Sequence, residues 1–174
     1  LDFTTIHYLR YGNAVQQEIY QLLQKHRIFD LLAVYHPILA GTYPIAINID
    51  SSDLDIICEV QDFQSFQELL KKEFAHREDF SVRHKIIYDE PSVICSFKLD
   101  RFEFELFGQN IPTTRQYAYR HMLIEYNLLK THGDPFREKI IQLKKQGIKT
   151  EPAFAQLLEL EGDPYLALLD IEKL

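Results

Sequence analysis

Asp53 and Asp55 stand one residue apart in Ser52-Asp53-Leu54-Asp55, at the head of the apolar run Leu54–Val60. Alternate residues of a strand share a face, so these two side chains should project together, their Cα atoms roughly 7 Å apart. Carboxylates held that close repel, and ionising both is costly unless a cation sits between them. A hard divalent ion such as Mg²⁺ (or Mn²⁺) supplies that compensation and carries phosphate oxygens in its remaining coordination positions. Read without an ion, the same pair is a solvated strand end. A second acidic pattern lies in RFEFELF (Arg101–Phe107), where Phe102, Phe104 and Leu106 alternate with Glu103 and Glu105. The alternation puts both glutamates on one polar strand face, which by itself suits a solvated surface equally well.

The elements that must position these groups show in the periodicity. Val15, Ile19, Leu22 and Leu23 recur at helical spacing between Ala14 and His26, with Asn13 available as an N-cap. His36–Gly41 reads as a strand ending at glycine, and Leu54–Val60 as a largely buried strand. Asp62 introduces an amphipathic helix marked by Phe63, Phe66, Leu69, Leu70 and Phe74. Phe80–Asp89 and Ser92–Leu99 form a hairpin joined around Asp89-Glu90-Pro91. After Gly108 the β character stops. Gln116–Gly133 is expected to form one helix, and Asp134–Gly147 another with Pro135 in its first turn. Thr150–Gly162 and Asp163–Leu174 each open with an acidic residue and a proline, again a helix-start signal. The fold class is therefore α/β (α+β), with an α/β core over 1–108 and a helical region over 109–174. Those helices either pack against the sheet or line one side of a cleft.

Composition narrows the function classes. At 174 residues and 46% hydrophobic, the chain can bury one substantial core. A net charge of -7 argues against a generic nucleic-acid footprint, although a metal ion can still bridge acidic side chains to a nucleotide's phosphates. No apolar run approaches the roughly 18–20 residues of a membrane span, and residues 1–19 lack a basic region followed by an apolar core, so a cytoplasmic protein is expected. Cys58 and Cys95 both fall in strand-like apolar runs and read as reduced core thiols. There is no P-loop, no G-x-G-x-x-G, no nucleophile elbow and no zinc-ligand spacing.

Gly41-Thr42 followed by Ser52-Asp53-Leu54-Asp55 resembles the nucleotidyltransferase signature G-S-x(9)-S-D-x-D, with the same separation from glycine to first aspartate. Over most of Pro37–Leu169 the chain is similar to a bacterial nucleotidyltransferase-like family, domain of unknown function 4269. The resemblance rests on PILAGTYPIAINIDSSDLDIICE, FELFGQNIPTTRQYAYRHMLIE and GIKTEPAFAQLLELEGDPYLALL. It implies a mixed sheet flanked by helices and, within the DNA polymerase β-like superfamily, transfer of a nucleoside monophosphate from an NTP to a hydroxyl acceptor. Gly41, Thr42 and Ser52 would then hold the nucleotide phosphates, since glycine admits close backbone approach and N–H and hydroxyl groups donate to phosphate oxygens. Asp53 and Asp55 would bind the metal. A third carboxylate from a later strand would complete the site; Glu105, nearer the strand's end, is preferred, with Glu103 in reserve.

Where many members carry a second loop glycine this chain has Ala46, and Tyr43–Asp50 contains no Lys or Arg. Cationic contact to a triphosphate must then come from elsewhere, with Arg115, Arg120 and His121 as candidates. Arg120 could clamp phosphate or simply pair with a local carboxylate, while His121 beside Met122 reads as a packing residue. Lys149, Thr150 and Glu151 could approach a substrate, but Thr150-Glu151-Pro152 is equally an ordinary helix entrance. The acceptor is open, as is a catalytically inactive module that binds nucleotide or protein on the same fold.

Overall fold

The computed structural model describes residues 1–171. A five-stranded mixed sheet, ordered β1-β2-β5-β4-β3, forms its centre. The strands are β1 (Ile38–Ala40), β2 (Leu54–Glu59), β3 (Glu78–Ile87), β4 (Glu90–Leu99) and β5 (Phe102–Gln109). β2 runs parallel to β5, and the β1–β2, β3–β4 and β4–β5 pairs are antiparallel. The described residues form seven α-helices around the sheet: α1 (Ala14–Lys25), α2 (Ile28–Leu31), α3 (Phe63–Phe74), α4 (Tyr117–His132), α5 (Asp134–Lys145), α6 (Thr150–Leu157) and α7 (Pro164–Ile171).

Alternation along the strands splits the core between the two faces. Leu54, Ile56 and Cys58 of β2 join Phe104 and Leu106 of β5 on the face covered by α1 and α3. There Phe97 lies between Phe74 and Phe104 in a parallel stack, with centroids 4.7 and 5.0 Å apart. Ile38, Ala40 and Ile57 face the other way, against Met122 and Leu129 of α4, Ile140 of α5 and Phe154 of α6. Asp55 shares this second face with Ile57. The acidic pair and the C-terminal helices therefore occupy the same side of the sheet.

The element starts follow local chemistry. Asn13 and Gln16 form a reciprocal capping box at α1. The Asp62 carboxylate accepts from Gln64 and Ser65 N–H at the head of α3. The hairpin turn is tighter than the sequence suggests: Tyr88 and Asp89, both at positive φ (52° and 63°), connect β3 and β4, and Glu90-Pro91 already belong to β4. A two-residue turn with both residues left-handed matches the twist of the flanking strands. Pro91 fits because β5 begins pairing only at Ser92. The first strand is shorter than expected, at Ile38–Ala40, and α6 stops at Leu157. The last helix is described to Ile171, and the expectation for 172–174 lies outside the described residues. Cys58 and Cys95 are free and buried. Among the described residues, no helix is long and apolar enough to cross a membrane.

Candidate active site

The parallel pairing of β2 with β5 sets Asp55 directly opposite Glu105 and Leu54 opposite Phe104. On the other side of β2, Asp55 is opposite Ala40, the residue before Gly41. Gly41 is left-handed (φ 73°), and a Cβ placed there would run into the Asp55 carboxylate. Glycine is thus required twice, for the turn and for the approach of backbone to carboxylate.

The loop after Gly41 is fixed at both ends. Thr42 Oγ1 donates to Ser52 Oγ (3.3 Å), which also accepts from Ile49 N–H (2.9 Å). Tyr43 OH donates to the Ser52 carbonyl (3.2 Å). Ile45 and Ile47 drop into the core below the helices, which explains the apolar character of this loop. Its carbonyls are satisfied by three side chains from helices. Gln16 Nε2 donates to Tyr43 O (2.8 Å) and Pro44 O (3.1 Å), Arg137 to Ile45 O (2.6 Å) and Ala46 O (3.2 Å), and Lys144 Nζ to Ile47 O (2.9 Å). Ala46 itself is left-handed (φ 57°), so this non-glycine residue holds a backbone conformation suited to glycine.

This loop, the carboxylates and the C-terminal helices enclose a cleft of about 800 Å³. Gly41, Thr42, Ser52, Asp53, Asp55 and Glu105 line one wall, and Arg115, His121, Glu125, Lys144, Lys149 and Glu151 are on the helical side. Glu103 lies on the same strand face as Glu105 but outside this cleft; its side chain is 64% exposed and lies 3.9 Å from Lys98. Glu105 is 35% exposed and 3.5 Å from Arg83. Arg120 is not among the cleft-lining residues; its guanidinium lies over the Tyr117 ring, 5.7 Å from the centroid. His121 is buried, and because a carbonyl only accepts, its Nε2 donates to Tyr165 O (2.8 Å).

The electrostatics are those of crowded negative charge. Burial, with Glu105, Asp53 and Glu151 nearby, pushes the Asp55 carboxyl well above the usual carboxylate range. Burial also raises Glu105, which Arg83 partly offsets, and raises Asp53, with Glu103 adding to it. A hard cation suits such a set of oxygen donors, and Asp53, Asp55 and Glu105 are the side chains that could hold one. Among the described residues, no group of three or more Asp, Glu, His or Cys side chains is already gathered as a metal cluster.

The chain matches the family described as "Domain of unknown function (DUF4269)" over residues 21–171. It belongs to that family. No curated protein matches this DUF4269 chain. Solved structures do match, at identities that speak for the fold alone. The polymerase core of TRAMP, an RNA surveillance complex, aligns with a TM-score of 0.53 and 14% identity over 92% of this chain and 50% of that one. A structure of the GLD-2/RNP-8 complex gives 0.52 and 13% over 80% and 54%. The Cid1 poly(U) polymerase bound to MgGTP gives 0.52 and 12% over 74% and 41%. The DUF4269 chain thus has a nucleotidyltransferase-like fold and spans about half the length of these structures or less.

Two cleft residues of the DUF4269 chain escape motif-based reading, Glu125 and Lys144. Both are buried and charged. Their signal lay in helical spacing: Lys144 continues the stripe Phe136, Ile140, and Glu125 falls between Met122 and Leu129. A charged residue inside an apolar stripe marks a buried polar contact or a lined cavity.

Proposed function

We propose that this DUF4269 chain is a metal-dependent nucleotidyltransferase that moves a nucleoside monophosphate from an NTP to a hydroxyl acceptor. The observation that carries the reading is the juxtaposition of Asp55 and Glu105 across parallel strands, against the Gly41 turn and open to the cleft. Asp53, Asp55 and Glu105 are the side chains assigned to the metal, with Glu103 as the more exposed reserve. A bound Mg²⁺ or Mn²⁺ would neutralise phosphate charge and relieve the repulsion among these carboxylates.

The chain's own groups do the rest. Gly41 lets the loop backbone approach the Asp55 carboxylate, and the Thr42 and Ser52 hydroxyls can exchange their mutual hydrogen bond for phosphate oxygens. Arg115 and Lys149, both lining the cleft, are the cations placed to meet the triphosphate; Arg120 would have to leave the Tyr117 ring to do so. In the transfer, the acceptor oxygen forms a bond to the α-phosphorus while the bond from that phosphorus to the bridging oxygen breaks. Pyrophosphate leaves with that electron pair. The hydroxyl proton passes to a nearby carboxylate, and Glu105, whose proton affinity is raised by burial, is suited to take it. Positioning and charge neutralisation supply most of the rate in such displacements.

One observation favours a second reading, a binding module without turnover. Arg137 and Lys144, the cations nearest the loop, donate to its backbone carbonyls rather than presenting free donors to a triphosphate. Thermal shifts with each NTP, with and without Mg²⁺ or Mn²⁺, test the shared claim: stabilisation by metal and nucleotide together is expected, and its persistence in both Asp53→Asn and Asp55→Asn overturns the site. Pyrophosphate release over an acceptor panel then divides enzyme from binding module.

A further inference from the structure

We propose that the helical wall of the cleft recognises a small acceptor carrying a protonated amine close to its hydroxyl; this rests on the transferase reading above and names its second substrate by charge. Among the described residues the cleft is lined by six acidic side chains, Asp53, Asp55, Glu90, Glu105, Glu125 and Glu151, against one arginine and two lysines, Arg115, Lys144 and Lys149, and the buried His121. A divalent cation accounts for Asp53, Asp55 and Glu105. It leaves Glu90 at the start of β4, and Glu125 and Glu151 on the helical wall, on α4 and α6.

Glu125 is the unusual member. It is only 3% exposed yet lines the cleft, and among the described residues its carboxylate receives no hydrogen bond. Lys144, the cation that acts on it, is committed elsewhere: its Nζ donates to Ile47 O at 2.9 Å, as a strut of the loop. Burial, with Glu151 adjacent, drives the Glu125 carboxyl far upward and favours its protonated form, which an incoming cation would draw back to the carboxylate, and burial lowers Lys144 to about 8. Among the described residues Glu151 pairs with the buried His121, whose Nδ1 is 3.7 Å from Glu151 Oε1 while Nε2 is committed to Tyr165 O.

A second, independent acceptor belongs to a residue that also lines the cleft. Gln116 is 1% exposed, its Nε2 donates to Cys58 O and Ile111 O (both 2.9 Å), and its Oε1 is left with no partner. A buried acceptor without a donor is destabilising, so the cleft wall is complementary to a ligand that brings donors and positive charge. An ammonium group offers three donors and one charge in a compact volume. A polyanionic acceptor meets the opposite condition, since like charge across a buried wall is repelled.

Matched pairs test this without nucleotide: glucosamine against glucose, and 2-amino-1,3-propanediol against glycerol, by titration calorimetry on the whole chain. The amino member of each pair is expected to bind at least about tenfold more tightly, as an ammonium–carboxylate hydrogen bond does over its neutral counterpart. That preference should collapse in Glu125→Gln or Glu151→Gln. Circular dichroism and melting check that each variant is folded, and two variants guard against the loss of one. Equal affinity within pairs, no binding by the amino compounds, or an undiminished preference in both variants overturns the proposal. The Mg²⁺–NTP thermal shift, read on the same proteins, separates the two claims: an amine preference without a nucleotide response keeps the amine site and removes the transferase, and the converse result removes only the amine site.

Discussion

Two residues, Ala46 in the loop and Asp55 on β2, define what the site demands of single residues. Ala46 sits at φ 57°, where an L residue is strained by about 1–2 kcal/mol. Ala46→Gly should relieve more than the added freedom of the unfolded chain costs, a net gain of about 0.5–1 kcal/mol read from urea denaturation. Asp55 is the counterpart, a residue kept at the expense of stability. Its folded carboxyl holds a proton more tightly than the unfolded one, whose usual value is 3.8. As pH rises past that value the unfolded chain releases a proton the folded chain keeps, so stability falls until the folded carboxyl also ionises. Asp55→Asn should therefore melt above the parent at pH 7 and no higher than it at pH 3. Lys144 contributes the opposite slope: depressed to about 8 from 10.5, it makes stability climb as pH rises across that interval. Glycine, acidic pair and alternating glutamates were readable from the sequence because each obeys a local rule. The identity of Glu105 over Glu103 as the cleft residue was only preferred there, since both share the polar face and only tertiary packing separates their exposure.

At the scale of elements, the loop between β1 and β2 behaves as part of the helical scaffold. Gln16 closes the capping box of α1 and also donates to Tyr43 O and Pro44 O. Gln16→Leu should cost about 2–3 kcal/mol, because it loses a cap and leaves buried carbonyls unmet. It should also weaken the Mg²⁺–NTP thermal shift, although Gln16 does not line the cleft; an unaltered shift would mean the loop is not what holds the nucleotide. Helices and strands were legible wherever apolar spacing was regular, as in α1, α3 and β5. The hairpin turn was misread by two residues because Pro91 looks like punctuation, whereas its position outside the β5 pairing lets it sit in a strand. The hold of α1 and α5 on the loop had no sequence signal, since Gln16 and Arg137 are ordinary helix residues and their partners are backbone oxygens about 27 and 92 positions away.

Over the whole molecule, the two faces of the sheet divide the labour. One carries aromatic packing, with Phe97 clasped between Phe74 and Phe104; Phe97→Ala should cost about 3–5 kcal/mol in a denaturation measurement without changing the electrostatics of the cleft, because the stack lies on the far side of β5. The other face carries carboxylates beneath four helices. Strand order, and with it the Asp55–Glu105 pairing, was beyond sequence reading, as no local rule says which strand β2 will choose.

That choice of partner has a consequence for how the protein comes into being. β3, β4 and β5 follow one another as a meander, each closing on its predecessor through a short turn, whereas β2 must lie alongside β5 with α3 and the entire hairpin intervening. Pairings between distant stretches of chain pay their closure entropy before they gain contacts. In pulse-labelled refolding, amide protection is expected across β3–β5 before β2, so the acidic centre is born last, on a sheet already standing.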